Sequence, residues 1–213
     1  MSRRGIEKSE KKNAEAEGLS RAVEALKKGE VIVFPTETFY GLGADALNEA
    51  AVEQVFSLKG RDPRNPLPLI IAKPEMLDSV ASEVPPLAGK LARRFWPGPL
   101  TLVLPARLGL PAPLLNSEGG VGVRVSSHPA ARGLAEKLTH PITATSANPS
   151  GKEPARTIDE ARAYFSGKVA FFLDGGRLEG KKGSTVVEVA GDKLRIIREG
   201  EIPSVDLEKA CLS

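Results

Sequence analysis

The chain has 213 residues, and its hydrophobic fraction of 41% and charged fraction of 27% are ordinary for a soluble globular protein. A net charge of +3 is too small to demand a nucleic-acid partner and fits an anionic small molecule equally well. The single cysteine, Cys211, excludes an internal disulfide framework and a cysteine zinc site, and it favours a cytoplasmic location. No apolar run approaches the ~18 residues of a membrane span, so we expect no membrane partner.

The charge pattern and the apolar pattern divide the chain into three predicted regions. Residues 1–17 mix both charges with almost nothing to bury, which predicts a disordered tail. Residues 18–203 alternate helical and strand patterns and are predicted to form one α/β domain. Residues 204–213 are predicted to form a C-terminal tail with a short helix.

Within the central region, apolar periodicity predicts helices and short buried strands in turn. The helices are predicted at 19–28, 50–58, 74–80, 87–95, 129–138 and 157–165. The strands are predicted at 31–34, 67–72, 100–104, 121–125, 141–145 and 169–173, with a hairpin of 184–189 and 193–197. Between two of these strands, residues 105–120 are rich in glycine and proline and lack periodicity, so we expect a functional or mobile loop and hypothesise a lid.

Polar side chains follow several of the predicted strands. Pro35 ends the strand 31–34, and the stretch Thr36-Glu37-Thr38 comes next. The strand 141–145 similarly runs into Ser146, Ala147 and Asn148. Hydroxyl and amide groups at strand ends are typical of a binding site, although a plain strand and turn is an alternative that the local sequence leaves open.

Cations stand in two places that need explanation. Lys59 and Arg61 lie in a glycine- and proline-containing loop, which predicts either an anion-binding loop or a solvated helix C-terminus. Arg124 lies inside an apolar strand, where a guanidinium needs an anionic partner, either a protein carboxylate or a ligand carboxylate. His128 precedes a predicted helix and is expected to be a capping or packing histidine rather than a catalytic base.

Three familiar motifs do not fit. Residues 175–182 nearly spell a phosphate-binding P-loop, but Lys182 stands where Ser or Thr must reach the metal. Gly41 and Gly43 lack the third glycine of a dinucleotide fingerprint, and Ser146 lacks the elbow of a serine nucleophile. The remaining hydroxyls, amides and cations suit phosphates and a carboxylate, so chemistry there would rest on positioning and charge neutralisation, as in nucleotidyl transfer.

Three stretches of the chain together resemble a known family. FPTETFYGLGA at 34–44, the K-x-R of 59–61 and the S-x-N of 146–148 are similar to the signatures of the YrdC-type threonylcarbamoyl-AMP synthases, in the short single-domain form. The resemblance implies an α/β fold, with a twisted mixed sheet and flanking helices around a concave, positively charged cavity. It also implies that L-threonine, bicarbonate and ATP give L-threonylcarbamoyl-AMP and pyrophosphate, for threonylcarbamoyladenosine next to the anticodon of ANN-decoding tRNAs.

The resemblance assigns roles to ten residues. The catalytic residues implied are Lys59, Arg61, Ser146 and Asn148. The residues implied to bind threonine are Thr36, Arg124, Ala144 and Ser184. The residues implied to bind ATP are Lys59, Arg61, Asn65, Ser146, Asn148 and Arg198. Mg²⁺ is implied as a companion of ATP, with no protein side chain assigned as its ligand.

The implied partners are the three substrates and a downstream tRNA threonylcarbamoyl transferase complex, and weak direct binding of tRNA stays open. Two alternatives remain: a paralogue that binds double-stranded RNA or tRNA without adenylating activity, and a related enzyme that forms a carbamoyl-adenylate. The presence of Lys59, Arg61, Ser146 and Asn148 together favours catalysis, because an RNA-binding surface needs charge but not the S-x-N amide.

Overall fold

The computed structural model describes residues 3–212. Across that part of the chain, helices and strands alternate as the sequence predicts. The helices are α1 (Arg3–Lys27), α2 (Glu49–Lys59), α3 (Pro86–Phe95), α4 (Pro129–Leu138), α5 (Ile158–Phe165) and α6 (Ser204–Leu212). The strands are β1 (Ile32–Pro35), β2 (Tyr40–Gly43), β3 (Leu69–Ile70), β4 (Leu100–Pro105), β5 (Gly120–Arg124), β6 (Ile142–Thr143), β7 (Thr145–Ser146), β8 (Phe171–Phe172), β9 (Thr185–Ala190) and β10 (Lys193–Arg198).

The strands form two mixed sheets. The four-stranded sheet has the order β7-β2-β1-β8, and the six-stranded sheet has the order β10-β9-β4-β5-β3-β6. The pairs β1/β8, β3/β5 and β4/β9 are parallel, and the other pairs are antiparallel. The predicted mixed α/β class is therefore confirmed, with the strands divided between two sheets where one was expected.

Strand β1 explains why four apolar residues follow one another without alternation. Val31 and Val33 belong to one buried cluster, which includes apolar residues of α2, α3, α5 and α6. Ile32 and Phe34 belong to a second cluster, with apolar residues of α1 and α4. Successive side chains of a strand point to opposite faces, so β1 is covered on both sides and both faces must be apolar.

Helix ends follow the expected capping chemistry. The Thr157 hydroxyl accepts the Glu160 N–H and the Glu160 carboxylate accepts the Thr157 N–H, which is a capping box at the start of α5. His128 Nδ1 accepts the backbone N–H of Ala130 at the start of α4, so its predicted capping role is confirmed. Gly60 ends α2 with a φ of 57°, a left-handed conformation that glycine adopts readily.

Strand β2 was not predicted as a strand, because its two glycines suggested a loop. Gly43 pairs with Ile32 in β1, and a Cβ at Gly43 would lie 2.6 Å from the ring of Phe34. Only a residue without a side chain lets this ring pack against the neighbouring strand. Tertiary packing therefore decides the conformation here.

Three other expectations change. The predicted tail 1–17 is, from Arg3 onward, part of helix α1, and its residues 13–17 are exposed; Met1 and Ser2 lie outside the described residues. Of the predicted strand 67–72, only Leu69–Ile70 pairs in the sheet. Pro74–Ser79 forms a 3₁₀ helix where an α-helix was expected.

The loop 105–120 is held by its own hydrogen bonds. Asn116 Oδ1 accepts the N–H groups of Glu118 and Gly120, and the Ala106 N–H donates to the Gly119 carbonyl. Ala112–Leu114 adds a short 3₁₀ turn. Within residues 3–212, no helix has both the length and the apolar content to cross a bilayer.

Candidate active site

A cavity of about 210 Å³ lies between the two sheets, where β1, β2 and β7 of one sheet approach β5, β9 and β10 of the other. It is lined by Thr36, Thr38, Phe39, Tyr40, Gly41, Arg61, Pro68, Arg124, Ala144, Thr145, Ser146, Pro154, Gly183, Ser184 and Arg198. Three of these residues are arginines, and none of the described lining residues is acidic. Such a lining favours an anionic ligand.

The cavity brings together most of the residues that the sequence singled out. Seven of them line it: Thr36, Arg61, Arg124, Ala144, Ser146, Ser184 and Arg198. Lys59 and Asn148 are buried behind its wall, and Asn65 lies on the exposed loop beside Arg61. Separate strand ends and loops therefore converge on one place, as the polar residues after the strands predicted.

Arg124, the last residue of β5, has a protein carboxylate as partner. Its Nη1 donates to Glu37 Oε1, and the two side chains are 7% and 12% exposed. Burial lowers the pKa of the Arg124 guanidinium, and the Glu37 carboxylate opposes that shift. The sequence left open whether the partner of Arg124 is a protein carboxylate or a ligand carboxylate, and the structure shows the protein carboxylate of Glu37. Arg124 also lines the cavity, so its guanidinium is accessible to a ligand as well.

Two threonines follow β1, and their hydroxyls differ in what they can still bind. The Thr36 hydroxyl donates to the Phe39 carbonyl at 2.7 Å and accepts the N–H groups of Thr38 and Phe39. It is thus fully used within its own turn. Among the described residues, the Thr38 hydroxyl has one hydrogen-bond partner, Thr36 Oγ1 at 3.1 Å, and Thr38 lines the cavity. Thr38 is a site residue that the sequence interpretation missed.

Arg61 and Arg198 are held by backbone carbonyls. Arg61 Nε donates to the Asn65 carbonyl at 2.7 Å, and Arg198 Nη2 donates to the Ser184 carbonyl at 2.8 Å. Burial lowers the pKa of both guanidinium groups, and each feels the positive charge of a neighbouring arginine: Arg61 that of Arg198, and Arg198 that of Arg124. An anion bound between them would relieve this repulsion.

Lys59 contacts protein carbonyls rather than the cavity. Its Nζ donates to the backbone carbonyls of Ser146 and Asn148, and its side chain is buried. Burial, and then the charge of Arg61, lower the pKa of Lys59 from 10.5 to about 8. Asn148 Nδ2 donates to the carbonyls of Pro149 and Lys152, while its buried Oδ1 has no hydrogen-bond partner in the part of the chain that the structure describes. These two residues shape the wall that carries Ser146.

Residues 174–183, here called the strap, contact Tyr40 and the turn at Thr38, and Gly183 at the end of the strap lines the cavity. The Tyr40 hydroxyl lies 2.7 Å from the Gly176 carbonyl and accepts the Gly175 N–H at 2.9 Å. A Cβ at Gly180 would lie 2.1 Å from the Thr38 carbonyl oxygen, so glycine is required where the strap crosses this turn. None of the residues 105–120 lines the cavity, and the hypothesis of a lid there gains no support.

A second depression on the surface carries no residue of the predicted site. It is wider and more open, and His140 pairs there with Asp45 at 3.0 Å. Its lining residues are Asp45, Leu47, Asn48, Glu49, Ala50, Glu53 and His140. Among the described residues, no group of three His, Cys, Asp or Glu side chains is placed to hold a metal ion. The arginine-lined cavity is therefore the candidate site.

Comparison with known proteins decides the family. Residues 24–200 match the Sua5/YciO/YrdC family model, whose description is telomere recombination. The chain belongs to the Sua5/YciO/YrdC family. Within this family, the chain is 41% identical over 184 residues to a threonylcarbamoyl-AMP synthase of Pyrococcus abyssi, covering 86% of this chain and 54% of that relative. It is 34% identical over 179 residues to a threonylcarbamoyl-AMP synthase of Marinobacter nauticus, covering 83% of this chain and 94% of that relative.

A solved member of the family supports the fold. The crystal structure of P. abyssi Sua5 complexed with L-threonine matches with a TM-score of 0.87 and 40% identity, covering 90% of this chain and 56% of that one. The chain therefore spans just over half the length of the P. abyssi relatives. In this member of the Sua5/YciO/YrdC family, signature residues from 34–44, 59–61 and 146–148 border one cavity or build its wall.

Proposed function

We propose that the protein is an L-threonylcarbamoyladenylate synthase, which converts L-threonine, bicarbonate and ATP to L-threonylcarbamoyl-AMP, pyrophosphate and water. The observation that carries the proposal is the arginine-lined cavity, which gathers Arg61, Arg124 and Arg198 with the hydroxyls of Thr38 and Ser184. The names of the family members at 34–41% identity support the same reaction. The product would feed threonylcarbamoyladenosine formation in ANN-decoding tRNAs through a downstream transferase, in a cytoplasmic location.

The three guanidinium groups can be assigned to two of the substrates, threonine and ATP. Arg124, the last residue of β5, lines the same cavity as Thr38, and we assign it to the carboxylate of threonine. Burial lowers the pKa of both Arg61 and Arg198, and each lies near the positive charge of another arginine, so we assign these two to the phosphates of ATP. Attack of a carbamate oxygen on the α-phosphorus adds charge to the phosphoryl group and to the departing pyrophosphate, which these cations would neutralise.

The wall residues act indirectly in this proposal. Lys59 and Asn148 hold the segment that carries Ser146, which lines the cavity. The cavity is smaller than the roughly 300–1,000 Å³ of typical ligand pockets, so we expect part of ATP to lie outside it. Mg²⁺ would arrive on the phosphate oxygens of ATP, since the described residues offer no cluster of metal ligands. Bound there, it would neutralise the phosphate charge.

The deciding experiment follows pyrophosphate release with ATP, Mg²⁺, bicarbonate and each amino acid in turn. We expect release that depends on both threonine and bicarbonate. Arg198→Ala should abolish most of it, whereas Arg195→Ala should not, because Arg195 lies on the same strand but pairs with Glu188 outside the cavity. Absence of threonine-dependent release would overturn the proposal, and salt-sensitive tRNA binding in the same preparation would then favour the RNA-binding alternative.

A further inference from the structure

Glu37 is a buried acidic side chain beside the cavity to which the proposed function gives no role. It lies in the turn between β1 and β2, its side chain is 12% exposed, and it is not among the lining residues. It therefore reaches the cavity only through its neighbours. Burying a carboxylate is costly unless both oxygens find donors, so its contacts need an explanation.

Both carboxylate oxygens of Glu37 are held. Oε1 accepts Arg124 Nη1, and Oε2 accepts the Ser126 hydroxyl. Ser126 is itself fixed, because its Oγ accepts the His128 N–H at 3.1 Å and its carbonyl accepts Arg132 Nη1 at 2.9 Å. The carboxylate is thus anchored to the segment that leads into α4.

The contact between Glu37 and Arg124 involves one nitrogen of the guanidinium, Nη1. Of its five N–H donors, only one on Nη1 makes a hydrogen bond within the described residues, and the side chain lines the cavity. Without Glu37, an empty cavity would leave a buried cation with no partner, which is strongly destabilising. The pair also joins the turn after β1 in one sheet to β5 in the other.

We infer that Glu37 is a positioning residue for recognition of the amino acid: it holds Arg124 by Nη1 so that the remaining donors meet the α-carboxylate of the substrate. The inference rests on the proposed function, since it concerns the threonine half of the same cavity. Glu37 itself does not touch the ligand. Its loss should weaken binding of the amino acid and leave binding of ATP unchanged.

The test uses two variants and a control in the full chain. Glu37→Gln keeps the shape and an acceptor oxygen but removes the charge, and Ser126→Ala keeps the charge but frees Oε2. The control is Glu53→Gln, an exposed glutamate on α2. Calorimetric titration with L-threonine and with ATP gives the two dissociation constants separately, and turnover gives KM and kcat for each substrate.

We expect the dissociation constant for threonine to rise about tenfold in Glu37→Gln and about threefold in Ser126→Ala, because hydrogen bonds to charged groups are worth more than neutral ones. The constant for ATP should stay within about twofold of the wild type, as both constants should in Glu53→Gln. KM for threonine should rise in parallel with its dissociation constant in Glu37→Gln and Ser126→Ala, and kcat should change less.

Two results would overturn the inference while leaving the proposed function intact. One is wild-type threonine binding in both variants, and the other is a parallel loss of threonine and ATP affinity, which marks a structural role only. If circular dichroism shows that Glu37→Gln does not fold, Ser126→Ala decides between these results. Failure of the proposed function is recognised separately, as absence of threonine-dependent pyrophosphate release by the wild-type protein.

Discussion

The amino group of Lys59 donates to the backbone carbonyl of Ser146 at 2.5 Å and to that of Asn148 at 2.7 Å. In return, the Lys59 carbonyl accepts the Ser150 N–H at 2.8 Å. The last residue of α2 is thereby joined at three points to the end of β7 and the segment that follows it. The family resemblance implies a catalytic role for Lys59, and these contacts allow it to act through the position of Ser146.

Replacing Lys59 by Met should lower both stability and activity. The variant leaves two carbonyls without their donor, and we expect a loss of about 2–4 kcal/mol in the free energy of unfolding, measured in urea. Because the Ser146 segment would shift, KM for ATP and for threonine should both rise. The matched control is Lys73→Met on an exposed lysine. An unchanged unfolding free energy with a lost kcat would instead favour direct contact with the reacting groups.

The same lysine predicts how stability changes with pH. Its pKa is about 8 in the folded protein against 10.5 as the ordinary value, so between these values the unfolded chain binds more protons and the folded state gains stability as pH rises. The gain should approach about 1 kcal/mol per pH unit at most. A neutral amine keeps two N–H donors, so both carbonyl contacts survive deprotonation.

The measurement compares wild-type protein with Lys59→Met by urea unfolding at pH 7.0 and in the window between pH 8 and 10.5. Since other groups titrate equally in both proteins, the difference between them isolates Lys59. As pH rises through that window, the free energy of unfolding of the wild type should increase relative to that of Lys59→Met. A constant difference would mean that the pKa of Lys59 is not lowered by burial.

Removal of Arg124 should affect stability and threonine binding by different routes. Arg124→Ala leaves Glu37 buried without its cation, which should cost about 3–5 kcal/mol of unfolding free energy. The double variant Arg124→Ala/Glu37→Gln should recover part of that loss, because no unpaired charge remains. Neither protein should bind threonine as the wild type does, and KM for threonine should rise more than KM for ATP. Equal effects on the two substrates would show that Arg124 is structural.

Valine substitutions should separate the two threonines after β1. Thr36→Val removes a hydroxyl with one acceptor and two backbone donors in its own turn, so we expect a loss of about 1–3 kcal/mol in stability. Thr38→Val removes a hydroxyl that has a single partner within residues 3–212, so stability should fall by less than half as much while KM for threonine rises. Thermal unfolding and steady-state kinetics give both quantities. The opposite pattern would restore Thr36 as the ligand-binding hydroxyl.

Tyr40→Phe should loosen the strap. Its hydroxyl is the hydrogen-bond partner of Gly175 and Gly176, and burial raises its pKa to about 12, so it stays protonated at neutral pH. Hydrogen exchange at the amides of 175–183 should quicken in the variant, with the amides of α3 as the internal control. Unchanged exchange would show that other contacts, such as that of Leu178 with the Arg156 carbonyl, suffice to hold the strap.

Several helices and helix caps could be predicted from the sequence, because they depend on interactions between residues that are close together in the chain. The capping box at Thr157, the cap at His128 and helices α2, α3 and α4 all lie where the sequence predicts them. Strand β2 was missed, because its glycines are explained only by the ring of Phe34 on the next strand. Packing between residues of neighbouring strands does not produce a regular spacing of apolar residues along the chain.

The sequence by itself determined the mixed α/β class, the family resemblance and seven of the fifteen residues that line the cavity. Polar residues that follow strands collect at sheet edges whatever the details of packing. Only the tertiary structure decided what those side chains do. It pairs Arg124 with Glu37, 87 positions away in the sequence. It also places the Lys59 amino group on backbone carbonyls behind the cavity wall, and it engages the Thr36 hydroxyl in hydrogen bonds within its own turn. Such contacts join residues that are far apart in the sequence and depend on how the two sheets pack together, so a local sequence pattern does not predict them.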